Sequence, residues 1–170
     1  MIRYSSTLLI AAFGSVCIAQ AQSPFGTELK QTYTGVKNNL IKAAEKMPED
    51  GYGFKATPDV RPFGQLIAHV ADSQMRACGA AKGEQKTPGA ASKTTKADLV
   101  AALKESFEYC DSAYDSVNDE TARQMVKTFR GERTKLSALW GNVTHDNEMY
   151  GTIAVYMRLK GLVPPSSEGR

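Results

Sequence analysis

Apolar side chains recurring at spacings of three and four constrain this chain more than any other feature. Leu99, Leu103, Phe107, Cys110, Tyr114 and Val117 share one face if each residue turns the chain by about 100°. Thr95 with Asp98 three residues on has the pattern of a capping box and opens this segment, while Asn118 and Asp119 break it. Leu29, Tyr33, Val36, Leu40, Ala44 and Met47 make an earlier stripe that Pro48 stops. Asp59 followed by Pro62 suits a helix start, after which Phe63, Leu66, Ile67, Val70 and Ala77 carry the pattern to Ala81. A fourth helix is expected from about Thr134 to Lys160, ended by Gly161 and the Pro164-Pro165 pair. The connections are a long shaped loop from Pro48 to Pro58, a polar crossover from Gly83 to Thr94 and a short turn over Met125 to Phe129. With no β pattern of useful length and no internal repeat, the chain reads as all-α, a four-helix bundle.

Two cysteines bear on how the helices run. Antiparallel neighbours would put Cys78 near the end shared by the second and third helices and Cys110 roughly 20 Å away from it. A disulfide needs Cα atoms within about 7 Å, so that arrangement forbids one. If the crossover instead returns the chain so that the two helices run parallel, both cysteines fall at the same height. The bridge and the parallel pair are therefore expected together, and closing a loop of about 30 residues would stabilise the fold by roughly 3 to 4 kcal/mol. Reduced thiols acting as small core residues are the alternative.

A bridge requires an oxidising compartment, and the amino terminus supplies the route to one. Arg3 gives a positive start, Leu8 to Ala19 an apolar run, and Ala19-Gln20-Ala21 a small-x-small cleavage site. Residues 1–21 are thus read as a signal peptide and 22–170 as one domain, exported to the periplasm or the medium, with no membrane span after processing. Val16 before Cys17 argues against a lipoprotein.

Lys and Arg number 21 against 18 Asp and Glu, an excess too small and scattered for a nucleic-acid footprint. No glycine-rich phosphate loop follows a strand and no G-x-S-x-G elbow is present. The chain has only two histidines, so three imidazoles cannot be gathered from it. His145 and Met149 lie four residues apart on one helix face, the spacing that presents two ligands to a metal, and His69 on the second helix would be the third. On spacing alone, core packing explains the same residues.

The segments RPFGQLIAHVADSQ (Arg61 to Gln74), LKESFEYCDSAYD (Leu103 to Asp115), HDNEMYG (His145 to Gly151) and YMRLKGLVPPSS (Tyr156 to Ser167) carry a wider resemblance. Together they resemble the DinB/YfiT-like family of metalloenzymes. The resemblance implies a four-helix bundle with a long crossover between helices two and three, and a homodimer. It also implies a divalent metal, often nickel or zinc, held by one histidine of helix two and an H-x-x-x-H pair of helix four. Some relatives are thiol-dependent transferases or isomerases in which the metal activates a small thiol. His69 matches the helix-two ligand and His145 the first helix-four ligand, but Met149 stands where the second should be. A thioether is a soft, neutral, weak ligand for zinc or nickel, so the site reads as degenerate.

Three readings follow. His69, His145 and Met149 line a partly polar cavity in the bundle that takes a small molecule; or two imidazoles, water and a carboxylate such as Asp72 or Asp146 keep a weak divalent site, serving a thiol transferase or a hydrolase-like enzyme; or the His₂Met set takes Cu(I). Asp72, one turn beyond His69, is either an acceptor orienting that ring or an exposed helix carboxylate. Asp146 falls in the apolar arc of helix four and needs a partner such as a tyrosine hydroxyl or an arginine. Tyr150, Tyr156 and Arg158 are explained as well by packing and capping as by substrate contact, and Trp140 is expected in the core.

Overall fold

The apolar stripes form four helices in the computed structural model, which describes residues 24–169. They are α1 (Pro24–Lys46), α2 (Phe63–Lys82), α3 (Lys96–Asp115) and α4 (Lys135–Leu159). The expected signal peptide and Cys17 lie outside the described residues. Threonines set two of the starts: Thr95 Oγ1 accepts from the Asp98 N–H ahead of α3, and Thr134 Oγ1 accepts from Ser137 N–H ahead of α4. Asp98 completes its box differently from the usual pattern, its carboxylate accepting from the Thr95 hydroxyl at 2.8 Å. Gly83 closes α2 in the left-handed region (φ 73°), which a residue without Cβ adopts at no steric cost.

α1 and α2 each pack against both α3 and α4, so consecutive helices α1 and α2 stand on a diagonal. Lys30 pairs with Asp115 and Lys104 with Glu45, which makes α1 and α3 antiparallel. Tyr156 near the end of α4 donates to the carbonyl of Arg61 just before α2, so α2 and α4 are antiparallel too. α2 and α3 run parallel: a Cβ on Gly64, at the start of α2, would lie 3.2 Å from Leu99 at the start of α3, and the Cys78–Cys110 disulfide joins their other ends with Cα atoms 5.3 Å apart. The crossover must then run back along the bundle. About a dozen residues can span about 40 Å, enough to return along the roughly 30 Å of α2.

Leu40, Phe63, Ile67, Leu103, Phe107, Leu139, Ile153 and Met157 are wholly buried in the centre, and the rings of Tyr33 and Tyr114 stack with centroids 3.7 Å apart. The tail folds back over α4: Tyr150 Oη accepts from the Ser166 N–H and Arg158 donates to Ser167 Oγ. Tyr150, Tyr156 and Arg158 are thus engaged in tying segments together.

Two expectations are corrected. The turn over Met125 to Phe129 is a hairpin, β1 (Met125–Thr128) pairing antiparallel with β2 (Gly131–Thr134) in the register Met125↔Thr134. Its strands of four residues are mostly exposed and too short to show alternation, so the pairing rests on the turn: Thr128 Oγ1 accepts from Arg130 N–H and donates to Gly131 O. Trp140 is not a core residue but 52% exposed, because the buried arc of α4 runs through Leu139, Val143, Asp146, Tyr150 and Ile153, and Trp140 lies about 100° round from the middle of that arc.

Candidate functional site

α2 and α4 cross so that His69 and His145, both half-buried, meet with Nε2 atoms 3.1 Å apart and ring planes inclined at 65°. Two chemistries fit that distance. Neutral rings make one Nε2–H···Nε2 hydrogen bond, one histidine donating and the other accepting. Two bonds of about 2.0–2.1 Å to a metal at a near-tetrahedral angle would set the nitrogens about 3.3 Å apart. Burial holds the His69 imidazole below its usual range, and the His145 ring beside it pushes the same way.

Beneath the pair is a polar network that reaches into the core. Asp146, wholly buried, accepts from Gln74 Nε2 at 2.7 Å through Oδ2, with Asn142 Nδ2 at 3.4 Å, and its Oδ1 lies 3.5 Å from His145 Nδ1. Its partners are carboxamides where a tyrosine or arginine was expected. Burial pushes the Asp146 carboxyl up to about 6, against the opposing pull of His145. Gln74 Oε1 accepts from Asn142 Nδ2 at 2.7 Å and touches Cys110 Sγ at 2.9 Å, so the network ends on the disulfide. Tyr114 accepts from Asn142 and donates to the Leu139 carbonyl. Asn142 opens an Asn-Val-Thr glycosylation pattern, but its side chain is buried and engaged in this network.

Sequence reasoning missed Gln74 and Asn142. Both stand at apolar positions of their helices, Gln74 between Val70 and Cys78 and Asn142 between Leu139 and Asp146, and a polar residue there signals an interior network.

Asp72 does not orient His69 and is not exposed. It is buried, and its two oxygens accept from the Ala90 and Ala91 N–H groups at 2.8 and 3.2 Å, pinning the crossover to α2. Met149 is partly buried one turn past His145 and packs against the core. Among the described residues no three His, Cys, Asp or Glu side chains come together as a metal-binding group. The donor set is two imidazoles with a thioether one turn away, which does not match a three-imidazole site for zinc or nickel.

A parallel α2–α3 pair, a crossover pinned to it and a histidine pair between α2 and α4 define a helical bundle of one particular connectivity. The chain belongs to the DinB superfamily, whose family model matches residues 32–153. Among solved structures it is similar to a DinB-like protein from Bacillus cereus ATCC 10987 (TM-score 0.72, 14% identity, 82% of this chain and 95% of that one). It is also similar to the DinB-like protein YjoA from Bacillus subtilis (TM-score 0.66, 18% identity, 84% of this chain and 99% of that one). A variant of the mycothiol-dependent maleylpyruvate isomerase is a further neighbour (TM-score 0.59, 17% identity), with 73% of this chain covering 60% of that protein. At these identities the likeness is one of fold. No curated protein gives a significant match.

Proposed function

We propose that this chain is an exported DinB-fold protein with a degenerate divalent-metal site, one that binds a small ligand or holds a metal weakly and does not activate a thiol. The observation that carries this reading is the 3.1 Å contact between His69 Nε2 and His145 Nε2, with Met149 at the position the third ligand would take. The pair satisfies itself by a hydrogen bond, and a metal would have to replace that bond with only two strong donors. Export to the periplasm or the medium is supported by the Arg3, Leu8–Ala19 and Ala19-Gln20-Ala21 pattern and by the Cys78–Cys110 bridge, which persists in oxidising compartments.

Metal titration of the protein from Gln22 onward, beside Met149→His, tests the reading. The variant should bind Zn²⁺ or Ni²⁺ at least about a hundredfold more tightly, since even outer-sphere changes cost tenfold to a hundredfold and this one adds a ligand. Tight, stoichiometric Zn²⁺ or Ni²⁺ in the unaltered protein would overturn it and favour a metal-dependent enzyme, a thiol transferase or hydrolase-like. A second reading, a Cu(I) site, is favoured by the thioether one turn from His145 and predicts copper binding that Met149→Leu abolishes.

A further inference from the structure

The hairpin between α3 and α4 presents an aromatic ring that the fold does not use. Phe129 at its tip is 82% exposed, where a tight hairpin turn favours Asn, Asp or Gly. The tip is nonetheless held in one shape. Thr128 Oγ1 bonds to Arg130 N–H and Gly131 O, Gly131 takes φ 95°, and Lys135 N–H closes the base on the Gln124 carbonyl at 2.8 Å. Val126 and Thr128 are half-buried, so Met125 and Lys127, which alternate with them, face outward.

Charge on this segment is one-sided. Between residues 123 and 134 stand Arg123, Lys127, Arg130 and Arg133 against Glu132 alone. All four cations are exposed, and none makes an ion pair among the described residues. Glu132 stands opposite Lys127 in the register, which leaves the three arginines uncompensated. The Arg130 guanidinium lies 5.2 Å from the centre of the Phe129 ring, so one turn carries an apolar wedge beside a fork that matches phosphate.

We infer that this hairpin docks the protein on an anionic lipid surface, with Phe129 entering below the headgroups and the arginines resting on their phosphates. The order of residues selects a bilayer as occupant. The ring is foremost, and Lys127 and Arg133 follow two and three residues behind the Phe129-Arg130 turn. A bilayer offers its partners in the matching order, since phosphates lie at its surface and hydrocarbon beneath them, and an interfacial anchor combines buried apolar area with attraction to anionic lipid. A turn fixed by its own hydrogen bonds gives up little conformational freedom on docking.

Co-sedimentation of the protein from Gln22 onward with vesicles of phosphatidylcholine and phosphatidylglycerol in equal parts tests the inference. Binding is expected at low salt, at least about tenfold tighter than to phosphatidylcholine alone, and it should weaken as salt screens the charges. Arg130→Glu should weaken it by at least about tenfold, because the exchange moves the charge at the surface by two. Lys93→Glu, the same change on the crossover, should leave it within about twofold. Phe129→Ser should cost at least about tenfold. Trp140 is the chain's one tryptophan, so Phe129→Trp in a Trp140→Phe background puts the only indole at the tip. Its emission should move to the blue on the mixed vesicles and be quenched by lipids brominated along the acyl chain. The altered positions are exposed, so helical content and melting temperature should stay unchanged in every variant. No binding to the mixed vesicles at low salt would overturn the inference and leave the tip to an acidic protein partner. Binding that ignores Phe129→Ser, or an indole that stays in water, would overturn it as well. None of these outcomes depends on whether the histidine pair binds metal.

Discussion

Gln74 Nε2 donates to Asp146 Oδ2 across 2.7 Å and so joins α2 to α4 at a carboxylate sealed from solvent. The Asp146 carboxyl is pushed up to about 6 in the folded protein, against about 3.9 in an unfolded chain. The native state therefore holds more protons between about pH 4 and 6. The stabilisation this gives is fully present below about pH 4 and is lost as pH rises through about 6, by about 2 to 3 kcal/mol. His69 acts oppositely: its pKa is depressed, so its contribution is present above the usual imidazole range and lost as the medium acidifies. Asp146→Asn removes only the first effect. Melting temperatures from pH 7 to pH 4 should show the unaltered protein gaining on Asp146→Asn as the pH falls, and a constant difference would show that Asp146 does not titrate in this range.

Gln74 is also the joint between that carboxylate and Asn142, whose amide it accepts at 2.7 Å. Gln74→Leu keeps the volume but leaves a buried charge and a buried amide short of partners, a loss worth about 2 to 4 kcal/mol. Urea unfolding at pH 7 should report that cost. A variant within about 0.5 kcal/mol of the original would mean that the interior hydrates or repacks around the gap.

The Cys78–Cys110 bridge links the ends of the parallel helices at buried sulfurs. Replacing both cysteines by Ala should cost about 3 to 4 kcal/mol, mostly by freeing the unfolded chain. Denatured without reductant, the protein from Gln22 onward should show no reactive thiol; two would remove the bridge and its share of the stability.

The helices were legible because each stripe repeats over several turns, and the parallel α2–α3 pair because two cysteines can bridge only at one height. Capping was legible at Thr95, where hydroxyl and carboxylate stand three residues apart. The hairpin at Met125–Thr134 was not, because its strands are four residues long and mostly exposed. Trp140 misled because a large aromatic is usually counted as core, whereas α4 has apolar residues on both its buried and its open face. Of the site, His69, His145 and Met149 were visible as types and spacings. The support under them was not, since Gln74 and Asn142 mean something only once α2, α3 and α4 converge.

Asp72 shows the same limit and gives the sharpest separation of two roles. One turn past His69, it has the spacing of a residue that orients that ring, yet its oxygens are taken by the Ala90 and Ala91 N–H groups of the crossover. Each of those is a charge-assisted bond in a buried setting, so Asp72→Ala should cost about 2 to 4 kcal/mol in all. Exchange of the Ala90 and Ala91 amides should speed up by at least about tenfold as local opening becomes easier. Metal affinity and the coupling between the His69 and His145 rings should stay as they were. If Asp72→Ala instead altered the histidine signals and left the crossover amides protected, the residue would belong to the site and not to the strap across it.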